Sequence, residues 1–218
     1  MPSIPTVVLD QSCASLVEKI SRFAPTFVFT RSGGFLVPPQ DAAAELAAAL
    51  ATLGRPAPYI LVGSSYAAFT QLVFASQWGE SVAGMILLDP SHPKQGERAL
   101  ARISPDLVGT SPALEEFRTL LRGFGPGWDE GCRQVSLVTT LGDIPLVVLV
   151  AGAPEMPQEL PEATRAALIR DRQGLLREYA GLSTRGAWVV VGGVGHDIAS
   201  LAPQIVVDTV ERMLSAMP

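Results

Sequence analysis

Tyr59-Ile60-Leu61-Val62-Gly63-Ser64-Ser65-Tyr66-Ala67 compresses a change of secondary structure into one short stretch. The apolar run Tyr59–Val62 predicts a strand, and the pattern resumed from Tyr66 to Trp78 predicts a helix. A serine at such a junction sits on a sharp turn, with its hydroxyl lifted above the sheet edge. Strand and helix backbones crowd together there, so the residues two before and two after must be small. Gly63 and Ala67 meet that need around Ser65, and the spacing selects Ser65 over Ser64. Ser65 is therefore the candidate nucleophile. The N–H of Tyr66, at the start of the helix, is a candidate donor to a developing oxyanion.

Outward from this stretch, short apolar runs alternate with helical ones. The runs are Thr6–Leu9, Thr26–Thr30, Met85–Leu88, Ile144–Val150 and Ala187–Val191. They are continuous rather than alternating, as expected of strands buried on both faces of a parallel sheet. Helices are predicted over Gln40–Leu53, Glu162–Ala180 and Pro203–Met217, in addition to Tyr66–Trp78. Residues 91–143 break the rhythm: helical pieces at Lys94–Ile103, Pro112–Leu121 and Glu130–Thr140, but no strand. They read as a helical cap inserted into a core made of residues 1–90 and 144–218, because an insertion of that length is usually functional.

A serine nucleophile needs a base, and the chain has two histidines, His92 and His196. His196 follows the last predicted strand in Val191-Gly192-Gly193-Val194-Gly195-His196. Serine, acid, histidine is the chain order that suits a sheet of this kind, so His196 is the expected base. Two carboxylates lie between: Asp89 at the end of Met85–Leu88, and Glu155 after the next strand. Both stand at carboxyl ends of strands, where ligands bind in parallel sheets. Asp197 is discounted as pointing elsewhere on its loop.

Composition bounds the rest. Length, 218 residues, fits one domain, and 48% apolar content supplies a large core. No apolar run is long enough for a membrane span. The N-terminus has no signal-peptide pattern, so a cytoplasmic protein is expected. Cys13 and Cys132 form no disulfide framework or zinc spacing, and no metal or cofactor is expected. A net charge of −5 without a basic stripe argues against nucleic acid.

With these residues in view, the chain resembles the α/β-hydrolase superfamily, most closely bacterial esterase-like serine hydrolases. Its matching runs are Ile60–Ala68, then Leu87-Leu88-Asp89-Pro90-Ser91-His92-Pro93-Lys94-Gln95, then Gly195-His196-Asp197-Ile198 with Pro203. The resemblance extends over nearly the whole chain from Pro5, which begins at what looks like the family's third strand. It implies Ser65 as nucleophile and His196 as base, and favours Asp89 over Glu155 as the acid. It also implies a second oxyanion donor, by position the N–H of Ser12 or Cys13. Relatives carry glycines there, whereas this chain has Asp10-Gln11-Ser12-Cys13-Ala14.

The expected fold is thus a mostly parallel α/β sheet flanked by helices, with a small cap. The expected activity is hydrolysis of an ester, thioester or lactone. The altered Gln11–Ala14 loop motivates an alternative: cyclisation, elimination or acyl transfer on a polyketide-like substrate. A non-catalytic binding module is a third reading. The expected ligand is a small apolar molecule, with Gln11, Ser64, His92, Phe117, Phe124 and Trp128 as candidate contacts and a monomer or homodimer as the working unit.

Overall fold

The structure, a computed structural model, describes residues 4–107 and 111–217. All six predicted strands form: β1 Thr6–Asp10, β2 Thr26–Phe29, β3 Tyr59–Ser64, β4 Val82–Leu88, β5 Leu146–Ala151 and β6 Gly186–Val191. They make one sheet in the order β2-β1-β3-β4-β5-β6, parallel at every pairing. The chain runs from β1 outward to β2, then crosses back to β3 on the other side of β1. That reversal opens a crevice at the carboxyl ends of β1 and β3, the ligand-binding position of open parallel sheets. Asp10 ends one of these strands and Ser65 follows the other.

The helices among the described residues are α1 Val17–Ile20, α2 Pro39–Thr52, α3 Ala67–Gln77, α4 Gln95–Leu100, α5 Pro112–Leu121, α6 Pro126–Val135, α7 Glu162–Ala180, α8 Ile198–Leu201 and α9 Pro203–Ser215. Side chains alternate across each strand. Val8, Leu61, Leu87 and Val148 meet Leu46 of α2, Leu72 of α3, Val135 of α6 and Leu176 of α7 on one face. Val7, Val62, Ile86 and Leu149 meet Ile20 of α1, Ile198 of α8 and Val206 of α9 on the other. Burial on both faces is why the central strands β1, β3, β4 and β5 read as unbroken apolar runs. Each fully buried leucine contributes about 1.5–3 kcal/mol.

Residues between β4 and β5 are divided between two cores. Trp128 and Val135 of α6 belong to the main core, against α2 and α3. Ile103 and Leu114 instead form a satellite cluster with Leu160 and with Leu168 of α7. The expected helix Glu130–Thr140 is displaced to Pro126–Val135. Gly125 takes φ +83° ahead of Pro126, which starts the helix. The helix is spent at Ser136, before Val138-Thr139-Thr140, whose β-branched side chains disfavour helix. Gln11–Leu16, where no helix was anticipated, is a 3₁₀ turn leading into α1.

Candidate active site

Ser65 is the first of the two residues between β3 and α3, with φ +52°. The left-handed region costs a non-glycine residue about 1–2 kcal/mol, and the surrounding bonds hold it there. Ser65 N–H donates to Leu88 O at 3.1 Å, and Ser65 O accepts Ser91 N–H at 3.0 Å and Ala68 N–H at 3.2 Å. Gly63 has no room for a side chain. A Cβ there would lie 2.6 Å from Gln71 Cγ and 3.3 Å from both Ala67 O and Ala68 Cα. Among the described residues, neither Ser65 Oγ nor Tyr66 N–H has an internal hydrogen-bond partner.

Asp89 ends the neighbouring strand and also has positive φ, +42°. Its carboxylate is fully buried, and both oxygens are saturated. Oδ1 accepts Ala151 N–H at 2.9 Å and Arg172 Nη1 at 2.5 Å; Oδ2 accepts Arg172 Nη2 at 2.8 Å and lies 2.5 Å from His196 Nδ1. Burial pushes the Asp89 carboxyl up, but the His196 hydrogen bond and the Arg172 guanidinium outweigh it and leave it below its ordinary value. An ionised Asp89 is acceptor-only, so His196 carries its proton on Nδ1 and leaves Nε2 free to accept.

His196 stands on the loop after β6, with its ring 47% exposed. That loop is tied to the one after β5: Gly152 N–H donates to Val191 O at 3.0 Å and Ala153 N–H to Val194 O at 2.9 Å. The two carboxylates left open by sequence reading part company here. Glu155 is exposed, its carboxylate resting against Gly195, while Asp89 contacts the imidazole. Asp197 caps α8 by accepting Ser200 N–H at 3.1 Å.

Ser65, Asp89 and His196 line a common cavity of about 380 Å³. Phe117, Phe124 and Trp128 wall it, as does Phe35, which sequence reading passed over. Phe124 packs edge-on to Phe35 at 6.0 Å and to Trp128 at 5.7 Å between ring centres. α7 supplies Leu168, Arg172 and Leu175 from the far side.

Gln11, Ser12 and Ser64 line a second cavity that also reaches Ser65. The N–H of Ser12 is already committed to Asp10 Oδ1 at 2.9 Å. Cys13 is fully buried in the α1/α9 core, where burial and the Asp10 charge push its thiol up to about 12. His92 lies outside both cavities. It is buried, its Nδ1 accepts Lys94 N–H at 3.1 Å, and its ring packs at a tilt against Tyr179, 5.1 Å between ring centres. Burial pulls its pKa down to about 4 against the opposing pull of Glu178.

Arg172 is a further site residue that sequence reading missed. It lies 83 residues from Asp89 in the chain, so no local motif joins them. Its one signal is a charged residue on the buried face of α7, in register with Leu168, Leu175, Leu176 and Tyr179. Among the described residues, no group of acids, cysteines and histidines could hold a metal ion. No helix among them is long and apolar enough to cross a membrane.

No protein-family model and no curated protein matches this sequence. Solved structures do. A thermophilic esterase from Thermogutta terrifontis superposes with a TM-score of 0.58 at 16% identity, over 98% of this chain and 90% of that one. A variant of the meta-cleavage product hydrolase CumD from Pseudomonas fluorescens IP01 gives 0.58 at 14%, over 97% and 90%. A protein from Desulfitobacterium hafniense, described as of the alpha/beta hydrolase family, gives 0.56 at 15%, over 98% and 97%.

Proposed function

From the α/β-hydrolase fold of this chain, we propose that it is a serine hydrolase acting on an ester, thioester or lactone through an acyl-enzyme. The observation that carries this reading is the contact of buried Asp89 with His196 at 2.5 Å, opening on the same cavity as the strained Ser65 corner. In this reading His196 Nε2 takes the Ser65 hydroxyl proton as Oγ attacks the carbonyl carbon. Asp89 holds the imidazole tautomer and stabilises the imidazolium. Tyr66 N–H hydrogen-bonds the oxyanion. The proton passes from His196 to the leaving group, and a water activated by the same imidazole releases the acid. Residues 91–143 act as the cap, and the aromatic wall of Phe35, Phe117, Phe124 and Trp128 receives an apolar acyl or alcohol portion. The esterase and the meta-cleavage product hydrolase among the structural neighbours are in keeping with this chemistry.

Fluorophosphonate labelling tests it. The native protein should be labelled at Ser65, and Ser65→Ala should not. An unlabelled native protein, or equal labelling of the variant, overturns the reading.

One observation favours a second reading. Of the two backbone N–H groups expected to supply the second oxyanion donor, that of Ser12 is bound to Asp10 Oδ1. A missing oxyanion donor costs about 10²–10³ in rate for acyl transfer. It costs nothing in a reaction without a tetrahedral oxyanion, such as cyclisation or elimination on a polyketide-like substrate with His196 as base. Efficient turnover of p-nitrophenyl esters by the native protein removes the case for this alternative.

A further inference from the structure

With a neutral imidazole against it, the Asp89 carboxylate leaves one negative charge unbalanced, and Arg172 answers it. Arg172 reaches it from the buried face of α7, its side chain 19% exposed, and grips both oxygens with both terminal nitrogens. The fork does two physical things. It fixes the carboxylate plane, because a bidentate contact resists the rotation that the single bonds from Ala151 and His196 would permit. It also sets a permanent positive charge against Asp89, so the carboxylate has less negative potential left with which to hold a proton on the imidazole.

The other groups around His196 do not replace this effect. The Glu155 carboxylate lies against Gly195 and is exposed. The Asp197 carboxylate is turned to Ser200. Farther along the cavity, Asp171 is paired with Arg102 at 2.6 Å and Arg98 lies 3.6 Å from Glu178. Arg172 is the cation in direct contact with the acid that touches His196.

We infer that Arg172 is a positioning residue: it aims Asp89 Oδ2 at His196 Nδ1 and takes up part of its charge, so that His196 stays an unprotonated base to lower pH than an unclamped pair would allow. This rests on the reading of Ser65, Asp89 and His196 as a working triad. Because Leu168 and Leu175 of the same helix line the cavity, the clamp is also part of the substrate wall.

The test compares Arg172→Gln and Arg172→Met with Arg172→Lys, each checked for native-like circular dichroism. The neutral variants should lose kcat on the order of 10–100-fold, with KM less affected. Their acid limb of kcat/KM should move up by about one pH unit. Arg172→Lys keeps the charge and loses the fork, so its limb should stay at the native position while kcat is only partly recovered. Equal losses in all three variants with an unmoved limb mean plain structural support and overturn the inference, as does a neutral variant with native kinetics. If neither neutral variant folds, Arg172→Lys decides alone, and native kcat in it overturns the fork.

A second readout needs no turnover. The chain has two histidines, so imidazole NMR resolves both. The His196 signals should titrate at higher pH in a neutral variant than in the native chain and Arg172→Lys. If the native protein takes no fluorophosphonate, that comparison still stands: a shift upholds the clamp while the hydrolase reading falls, and no shift overturns the clamp itself.

Discussion

The Asp10 carboxylate accepts the backbone N–H of Ser12 at 2.9 Å and the Ser12 hydroxyl at 2.6 Å. This side-chain cap starts the 3₁₀ turn after β1 and diverts one of the two N–H groups, those of Ser12 and Cys13, expected to supply a second oxyanion donor. Asp10→Ala should release it. The expected outcome is a rise in kcat on p-nitrophenyl esters, by up to about 10²-fold, alongside a loss of about 1 kcal/mol from the missing cap. Unchanged or lower kcat in a folded variant removes Ser12 from the oxyanion site.

The φ of +52° at Ser65 is strain held in place by the backbone bonds to Leu88, Ser91 and Ala68. Ser65→Gly relieves it and Ser65→Ala does not, since alanine keeps the Cβ. Glycine gives back part of the gain through its looser unfolded state. Ser65→Gly should therefore exceed Ser65→Ala in stability by about 1 kcal/mol, with both inactive. Denaturant midpoints of the two variants check this, and an alanine variant as stable as the glycine one contradicts a strained corner.

His92 gives a pH dependence separate from catalysis. Its pKa is about 4 in the folded chain, depressed from an ordinary 6.5, chiefly by burial. The unfolded chain thus binds a proton on His92 at a pH where the folded chain does not. The stability associated with this group is fully present above pH 6.5 and is lost progressively as pH falls toward 4. Urea midpoints at pH 7 and pH 5 should differ less in His92→Asn than in the native protein. An identical slope in both removes His92 as the source.

Phe124 is 47% exposed and packs between Phe35 and Trp128 at the cavity. Its loss costs little core but removes contact area for an apolar ligand. Phe124→Ala should raise KM for long-chain esters more than for acetyl esters, by about tenfold, with kcat nearly kept. Equal KM changes for both chain lengths place the acyl group elsewhere.

Local features were legible and distant partnerships were not. The corner at Ser65 could be read because Gly63, Ser65 and Ala67 solve a steric problem within a few residues of one another. The central strands could be read because burial on two faces demands uninterrupted apolar residues. Asp89 and Glu155 were equivalent by position, each at the carboxyl end of a strand, and the family resemblance was what favoured Asp89. They differ in whether the loop after β6 brings His196 against one or the other. The Asp10 cap went unread because the 3₁₀ turn it starts is too short to carry a periodic signal.

By itself the sequence determined the six-stranded α/β plan, the corner that presents Ser65 and the glycine-flanked loop bearing His196, since each depends on steric and burial demands that neighbouring residues meet together. The tertiary structure alone decided that Asp89 meets His196, that Arg172 clamps Asp89 from α7, and that Asp10 takes the Ser12 N–H. The first two join residues far apart in the chain, and their contact depends on how strands and helices stack rather than on any local pattern. The third is local, but which way a short polar side chain turns is settled only when the strand ends around it are in place.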